Sequence, residues 1–568
     1  MVTYKQKVKE LSRKEIWQQA INKLTIEREQ QKILKKEIIR NLWDYSFKEN
    51  LAYKYPNPDT SILKSWEEFA DNIYGSRQPD NLKIAFFCGP EPENDLNILT
   101  KIGVRIENIW AIEIDNELYK SALDAAKKKF PTLKIFNGDI ADLMQITSFK
   151  FDIIYLDFTA SLLTKKPAPI HTINAIFENN SLADLGIVIV NSAIPNATED
   201  SINFLSSYFS SHTYLEKSIY SGEDADSYHI EGRMPHGYYT RREIDEIEDD
   251  EDNIFEDFES EDAEDKIFED LIRDNFSQAY GAFSSHYPYL FASYLAPMFK
   301  VASSERLKKL FLNQKEEIID ESIKKISTPC EYSNCETNEV EDENEEEENN
   351  FEGGELYEDA ENYPFWGFVD SLHDNQGNAC KFWHSEFIKN RKNKISYLKC
   401  AQLYDLLRNG SYIYKKILSP VLSRCISEVE KSIPDRRGGV FCDVPMPHLW
   451  VELALNHLGN AYHINTSRHW RAKYKAKERE MYLDMFSFDN CRPLYDWLPM
   501  LELYGDDLKA IERQMIIRAC MDSITKQSHY LSTVSYYGAN LIGVDTTEWS
   551  SFGEFEPRIN LNDQLKQE

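Results

Sequence analysis

Two stretches decide the fold: Ile84-Ala85-Phe86-Phe87-Cys88-Gly89-Pro90-Glu91-Pro92-Glu93-Asn94-Asp95 and, after one helical span, Asn108-Ile109-Trp110-Ala111-Ile112-Glu113-Ile114-Asp115. Each opens on an apolar, β-branched or aromatic run without a period of two, the pattern of a parallel strand buried on both faces. The first run ends in a glycine turn that opens a helix; the second ends in acids. A strand, glycine turn and helix present free backbone N–H groups, and an acid at the end of the next strand can accept hydrogen bonds from a ribose diol. The spacing from Gly89 to Glu113 is 24 residues, close to the twenty or so such a pair needs.

Outward from there the alternation continues. Strands are expected at Lys83–Cys88, Ile109–Ile114, Leu133–Phe136, Phe151–Asp157 and Gly186–Asn191, with helices over Asn94–Ile102, Glu117–Lys129, Ile140–Ile146 and Pro169–Asn179 between them. Strand and helix in alternation predict a doubly wound, Rossmann-like, mostly parallel α/β sheet, whose ligand site lies at the carboxyl ends of the strands. Polar residues recur at those ends: Asn137-Gly138-Asp139 after the third strand and Asp157-Phe158-Thr159 after the fourth.

This order resembles the class I S-adenosylmethionine-dependent methyltransferases over residues 80 to 220. The resemblance implies S-adenosylmethionine as cofactor, Gly89 as the turn glycine, Glu113 as the ribose acid with Asp115 as second choice, and Asp139 as the acid near the adenine. It also implies that Asp157, at the end of the fourth strand, borders the reacting methyl. The first loop departs from the family: Pro90, Glu91, Pro92 and Glu93 follow a single glycine. Carboxylates there repel a pyrophosphate but tolerate a sulfonium and an ammonium, so the loop, Glu91 included, favours the methyl donor over a dinucleotide or ATP. The fourth strand lacks the two prolines that follow the acid in methylases of exocyclic base amines, and no Pro-Cys pair for cytosine is present. His171, expected in a Pro-rich loop after that strand, is a candidate general base.

The chain of 568 residues has a formal charge of −31, but the charge is concentrated. Residues 223–270 hold 21 carboxylates against four cations, and residues 331–361 hold 15 carboxylates and no cation. The rest sums to about +1. The acidic runs suggest an N-terminal helical segment (1–55), a Rossmann-like domain (56–325) with an acidic insert (223–270), an acidic linker (326–362) and a second, mainly helical domain (363–568). Nine cysteines, mostly isolated, fit reduced thiols in a cytoplasm, and neither a secretory signal nor a membrane-spanning run is expected. The scattered Cys and His residues give no metal-ligand spacing.

A second candidate site is cationic. Residues 381–437 carry 13 Lys and Arg against five acids, Arg436 and Arg437 among them. Arg468, Arg471, Lys473 and Lys475, interleaved with His469, Trp470 and Tyr474, are expected on one helix over Arg468–Phe486. Cations between aromatics suit DNA or RNA, or a dock for the chain's own acidic segments. The expected activity is therefore methyl transfer to a macromolecular acceptor, nucleic acid or protein. The alternative is a non-catalytic scaffold or nucleotide-sensing subunit in a multi-protein assembly, such as a prokaryotic antiviral defence system.

Overall fold

A computed structural model describes residues 6–32, 38–44, 59–164, 169–209, 269–292, 296, 300, 462, 468–490 and 555–566. Four helices lead in: α1 (Lys7–Leu24), α2 (Arg28–Gln31), α3 (Ile38–Asp44) and α4 (Thr60–Tyr74), the last capped by Asp59, whose side chain accepts from the Ser61 N–H. Then strands and helices alternate: β1 (Ile84–Phe87), α5 (Glu93–Ile102), β2 (Ile109–Glu113), α6 (Asn116–Lys129), β3 (Lys134–Asn137), α7 (Ile140–Ile146), β4 (Phe151–Asp157), α8 (Pro169–Glu178) and β5 (Leu182–Ala193). Helices α9 (Glu199–Phe209) and α10 (Phe276–Leu290) follow, then β6 (Trp470–Ala476), β7 (Arg479–Asp489), β8 (Ile559–Asn560) and α11 (Leu561–Gln564).

The strands form one eight-stranded sheet in the order β3-β2-β1-β4-β5-β7-β6-β8. Strands β1 to β5 are mutually parallel, and β7 alone runs against its neighbours, antiparallel to both β5 and β6. The order reverses between β1 and β4, so the crevice for a ligand opens at the carboxyl ends of those two strands. The α/β class and all five expected parallel strands stand. Strand β5 is longer than the expected Gly186–Asn191 because β7 pairs with it over nine residue pairs, Leu185 to Ala193, an extension set by a partner remote in sequence.

Two expectations are corrected. The helix expected over Arg468–Phe486 is a β-hairpin, β6 and β7, closed by a two-residue turn in which Lys477 takes a left-handed conformation (φ +57°). The sequence reason is a period of two. Arg471, Lys473 and Lys475 alternate with Trp470, Ala472, Tyr474 and Ala476, which puts the cations on one face and the apolar side chains on the other. This hairpin also lies in the same sheet as β1–β5, so residues 470–489 belong to that sheet rather than to a separate helical domain. Both acidic segments fall in the connection between β5 and β6. The remaining helices expected beyond residue 300 lie outside the described residues.

Among the described residues one apolar core runs from Val8 in α1 to Leu561 in α11. Helix α1 lies on the sheet face that carries Phe86 and Tyr155: the Trp17 ring meets both edge-on, with centroids 6.3 and 5.3 Å away. The first helix therefore walls the crevice at the switch point. Among the described residues no helix is long and apolar enough to cross a membrane, and no cluster of His, Cys, Asp and Glu could hold a metal ion.

Candidate cofactor and acceptor site

The residues singled out in the first four strand ends lie along one edge. After β1, Gly89 has φ +55°, a conformation that L residues adopt at a cost, and a Cβ placed there would meet nothing within 4 Å. Glycine is thus required by the backbone, and the space above it is open. The turn leads into α5, whose first N–H groups are already taken: Asn94 donates to the Glu91 carbonyl, and Asp95 and Leu96 donate to the Pro92 carbonyl. The exposed Glu91 side chain accepts from Asn94 Nδ2 at 3.0 Å.

The first turn of α5 also buries a carboxylate that the sequence did not mark. Asp95 is 4% exposed; it accepts from Trp17 Nε1 at 2.8 Å and lies 3.6 Å from Arg13 Nε. Burial pushes its carboxyl up to about 6, against the opposing pull of Arg13 and the Trp17 hydrogen bond. With Glu91 and Glu93 this makes the helix N-terminus acidic, unlike a phosphate-binding turn. The folded value lies above that of the unfolded chain, so the protonated form favours the fold. This contribution is complete below about pH 4 and is lost as pH rises through 6. Replacing Asp95 by asparagine is expected to lessen, by on the order of 2 kcal/mol, the fall in stability between pH 4 and 7. Urea denaturation at a series of pH values measures it, and an unchanged slope would contradict it.

At the end of β2, Glu113 is half-buried, and burial holds its carboxyl above the ordinary value. Its Oε1 accepts from the Asp115 N–H at 2.9 Å, which fixes the side chain. Asp115 is exposed and caps α6, accepting from the N–H groups of Glu117 and Leu118 at 2.8 and 3.0 Å. Its oxygen is committed to the helix, which favours Glu113 as the diol acceptor. Ile114, between them, is 60% exposed, an apolar surface beside the acid. Asp139 caps α7 in the same way, accepting from the Ala141 N–H at 2.9 Å.

Asp157 closes β4 and is half-buried; its Oδ1 accepts from Asn191 Nδ2 at 2.6 Å. Asn191 lies opposite it near the end of β5, and the same Nδ2 donates to the Tyr474 hydroxyl on β6 at 2.8 Å. His171 is in the first turn of α8 rather than in a loop, and its Nδ1 is buried without a hydrogen-bond partner. No hydrogen bond joins it to Asp157. Sequence reasoning missed Arg13, Trp17, Asp95, Asn191 and Tyr474. Only Asn191 carried a signal, as a polar residue ending an apolar strand.

Among the described residues, the cationic candidates do not form one surface. Arg471 is buried, donates to the Glu556 and Phe555 carbonyls and Ser285 Oγ, and stacks on the Phe555 ring at 5.1 Å. Arg468 donates to the Gln31 and Lys32 carbonyls at 2.9 Å. Arg471 is thus turned inward and half-buried Arg468 is held by carbonyls at the end of α2, so both guanidiniums serve as structural ties in this fold. Lys475 is exposed and Lys473 half-buried; Arg436 and Arg437 lie outside the described residues.

No family model matches this chain, and no curated protein matches it. Among solved structures it is similar to an S-adenosylmethionine-dependent methyltransferase from Clostridium acetobutylicum, at 14% identity over 31% of this chain and 65% of that one, with a TM-score of 0.17. A SAM-dependent methyltransferase from Archaeoglobus fulgidus is matched at 11% identity, over 27% of this chain and 61% of that one, with a TM-score of 0.16. The plantazolicin methyltransferase BamL, in complex with a triazolic desmethylPZN analog and SAH, is matched at 14% identity over 43% of this chain and 90% of that one, with a TM-score of 0.17. The chain spans less than two thirds of the first two. At these scores the functional reading rests on the residues themselves.

Proposed function

We propose that this chain is an S-adenosylmethionine-dependent methyltransferase that acts on a macromolecular acceptor. The observation that carries it is the edge at the switch point: Glu113, half-buried and fixed by the Asp115 N–H, beside the exposed Ile114 and across from an acidic turn at Gly89. This donor set fits the methyl donor. Glu113 accepts from the ribose hydroxyls, Ile114 offers an apolar plate to the adenine, and Asp139 lies at the adjoining strand end. Glu91, Glu93 and Asp95 favour a cation where a dinucleotide would place its pyrophosphate. The antiparallel β7 between β5 and β6 differs from the dinucleotide order 3-2-1-4-5-6 and so weighs against a dinucleotide.

When bound, the donor supplies an activated methyl group on sulfur. What the protein adds is orientation of donor and acceptor in line, with Asp157 placed to take a proton from the acceptor where its chemistry needs it. His171, with its unpartnered Nδ1, is the second candidate for that proton. The acceptor approaches the ends of β4 and β5. Calorimetric titration with S-adenosylmethionine and S-adenosylhomocysteine tests the reading. Saturable heat with both supports it, and no heat with either sinks it. Binding without methyl transfer to DNA, RNA or protein from a lysate would favour the alternative, a sensor or scaffold subunit.

A further inference from the structure

The edge between β4 and β5 holds an arrangement that cofactor binding alone leaves unexplained. Asn191 is 2% exposed, and its Nδ2 makes two hydrogen bonds, to Asp157 Oδ1 at 2.6 Å and to the Tyr474 hydroxyl at 2.8 Å. Its Oδ1 makes none and is buried. The orientation of the amide is not arbitrary: turned over, it would set its oxygen against the Asp157 carboxylate, acceptor against acceptor. A buried acceptor without a donor costs stability. Asn191 therefore leaves one end unsatisfied, and what results is a fixed direction for Asp157.

The support extends across the sheet. Tyr474 is buried, on a strand that packs against α1. On α1, the charge of Arg13 acts on both Asp95 and Asp157. Four elements, α1, β4, β5 and β6, thus converge on one carboxylate.

We propose that Asn191 and Tyr474 are positioning residues that hold the Asp157 carboxylate as the counter-charge to the sulfonium of the methyl donor. This rests on the methyltransferase reading above. The donor is a cation at sulfur and the product thioether is neutral there, so a fixed carboxylate favours the donor and loosens its hold once the methyl has left.

The test is calorimetry on the full chain with S-adenosylmethionine, S-adenosylhomocysteine and sinefungin, in which an amine-bearing carbon replaces the sulfonium. The wild type is expected to bind the two cationic ligands about tenfold more tightly than S-adenosylhomocysteine. In Asn191→Leu and Tyr474→Phe this preference is expected to shrink towards one, as in Asp157→Asn, while affinity for S-adenosylhomocysteine stays within about twofold. Because Asn191→Leu also removes the unpaired oxygen, its thermal midpoint should not fall, which separates positioning from a structural role. Bound S-adenosylhomocysteine with an unchanged preference in both variants overturns this inference and leaves the methyltransferase reading standing. Absence of binding by all three ligands to the wild type overturns both.

Discussion

Replacing Glu113 by alanine is expected to weaken binding of S-adenosylhomocysteine by about a hundredfold. A carboxylate that accepts from both hydroxyls of a ribose makes two charge-assisted hydrogen bonds, each worth about 1.5 kcal/mol or more. Together about 3 kcal/mol is two orders of magnitude in affinity. Glu113→Gln keeps one good acceptor and is expected to lose about tenfold. The control is Asp115→Ala. Asp115 accepts from Glu117 and Leu118 N–H groups as the cap of α6, so its loss should cost about 1 kcal/mol of stability and leave affinity unchanged. The reverse outcome, binding kept in Glu113→Ala and lost in Asp115→Ala, would transfer the ribose contact to the second acid. Calorimetry and urea denaturation on the same two variants decide between them.

The largest effect on stability is expected far from that edge, at Asp484 on β7. This residue is 2% exposed, and its carboxylate accepts from Ser285 Oγ at 2.7 Å, from His469 Nε2 at 2.9 Å and from Arg558 at 2.8 Å. Arg558 also donates to the Gly281 carbonyl and to Ser284, so one carboxylate ties α10, the hairpin and the C-terminal strand together. Removing one member of a buried ion pair leaves the other charge uncompensated, at about 3–5 kcal/mol. Asp484→Ala strands Arg558 and should lower stability by about that much, read as a shift of the urea midpoint. Arg558→Ala is expected to lose a similar amount, and the double variant less than the sum of the two, because both break the same contact. Simple additivity would show that the two side chains act independently.

The same network predicts acid sensitivity. Burial alone raises the Asp484 carboxyl, but Arg558 and His469 beside it more than offset this and hold it below the usual carboxylate range. Its stabilisation is present above the unfolded value of about 4 and lost as pH falls through the folded one. Burial pushes His469 down to about 4, so its contribution begins to be lost below about pH 6.5. Asp95, with its raised value, works in the opposite direction, so replacing Asp95 by asparagine should leave a chain whose stability rises more steeply from pH 4 to neutrality.

Much of the parallel half of the sheet was legible because β1, β2, β4 and β5 are largely buried on both faces and the helices between the strands on one. Ile84–Phe87, Ile109–Glu113 and Phe151–Asp157 declare themselves as apolar runs, and their ends supply Gly89, Glu113 and Asp157 without reference to anything remote, as the end of β3 supplies Asp139. The hairpin was misread because cations at two-residue steps around a few aromatics also fall near helical steps over so short a span. Its period of two was present in Trp470–Ala476, yet what ties the hairpin into the sheet is the pairing of β7 with β5, some three hundred residues earlier. Arg471 shows the consequence: a cation that composition assigned to solvent is buried against Ser285 and the Phe555 carbonyl.

The sequence by itself determined the alternation of strand and helix, the edge where polar residues collect, and the concentration of the −31 charge in two segments. Each of these follows from local burial pattern or composition. The tertiary structure decided what lies beside that edge: α1 over β1 and β4, Asp95 buried against Trp17 and Arg13, and Asn191 between Asp157 and Tyr474. Those contacts join residues up to several hundred positions apart, and long-range pairing leaves no periodic trace in the chain. It also placed residues 470–489 in the same sheet as β1–β5, where charge and periodicity alone had suggested a separate helical domain.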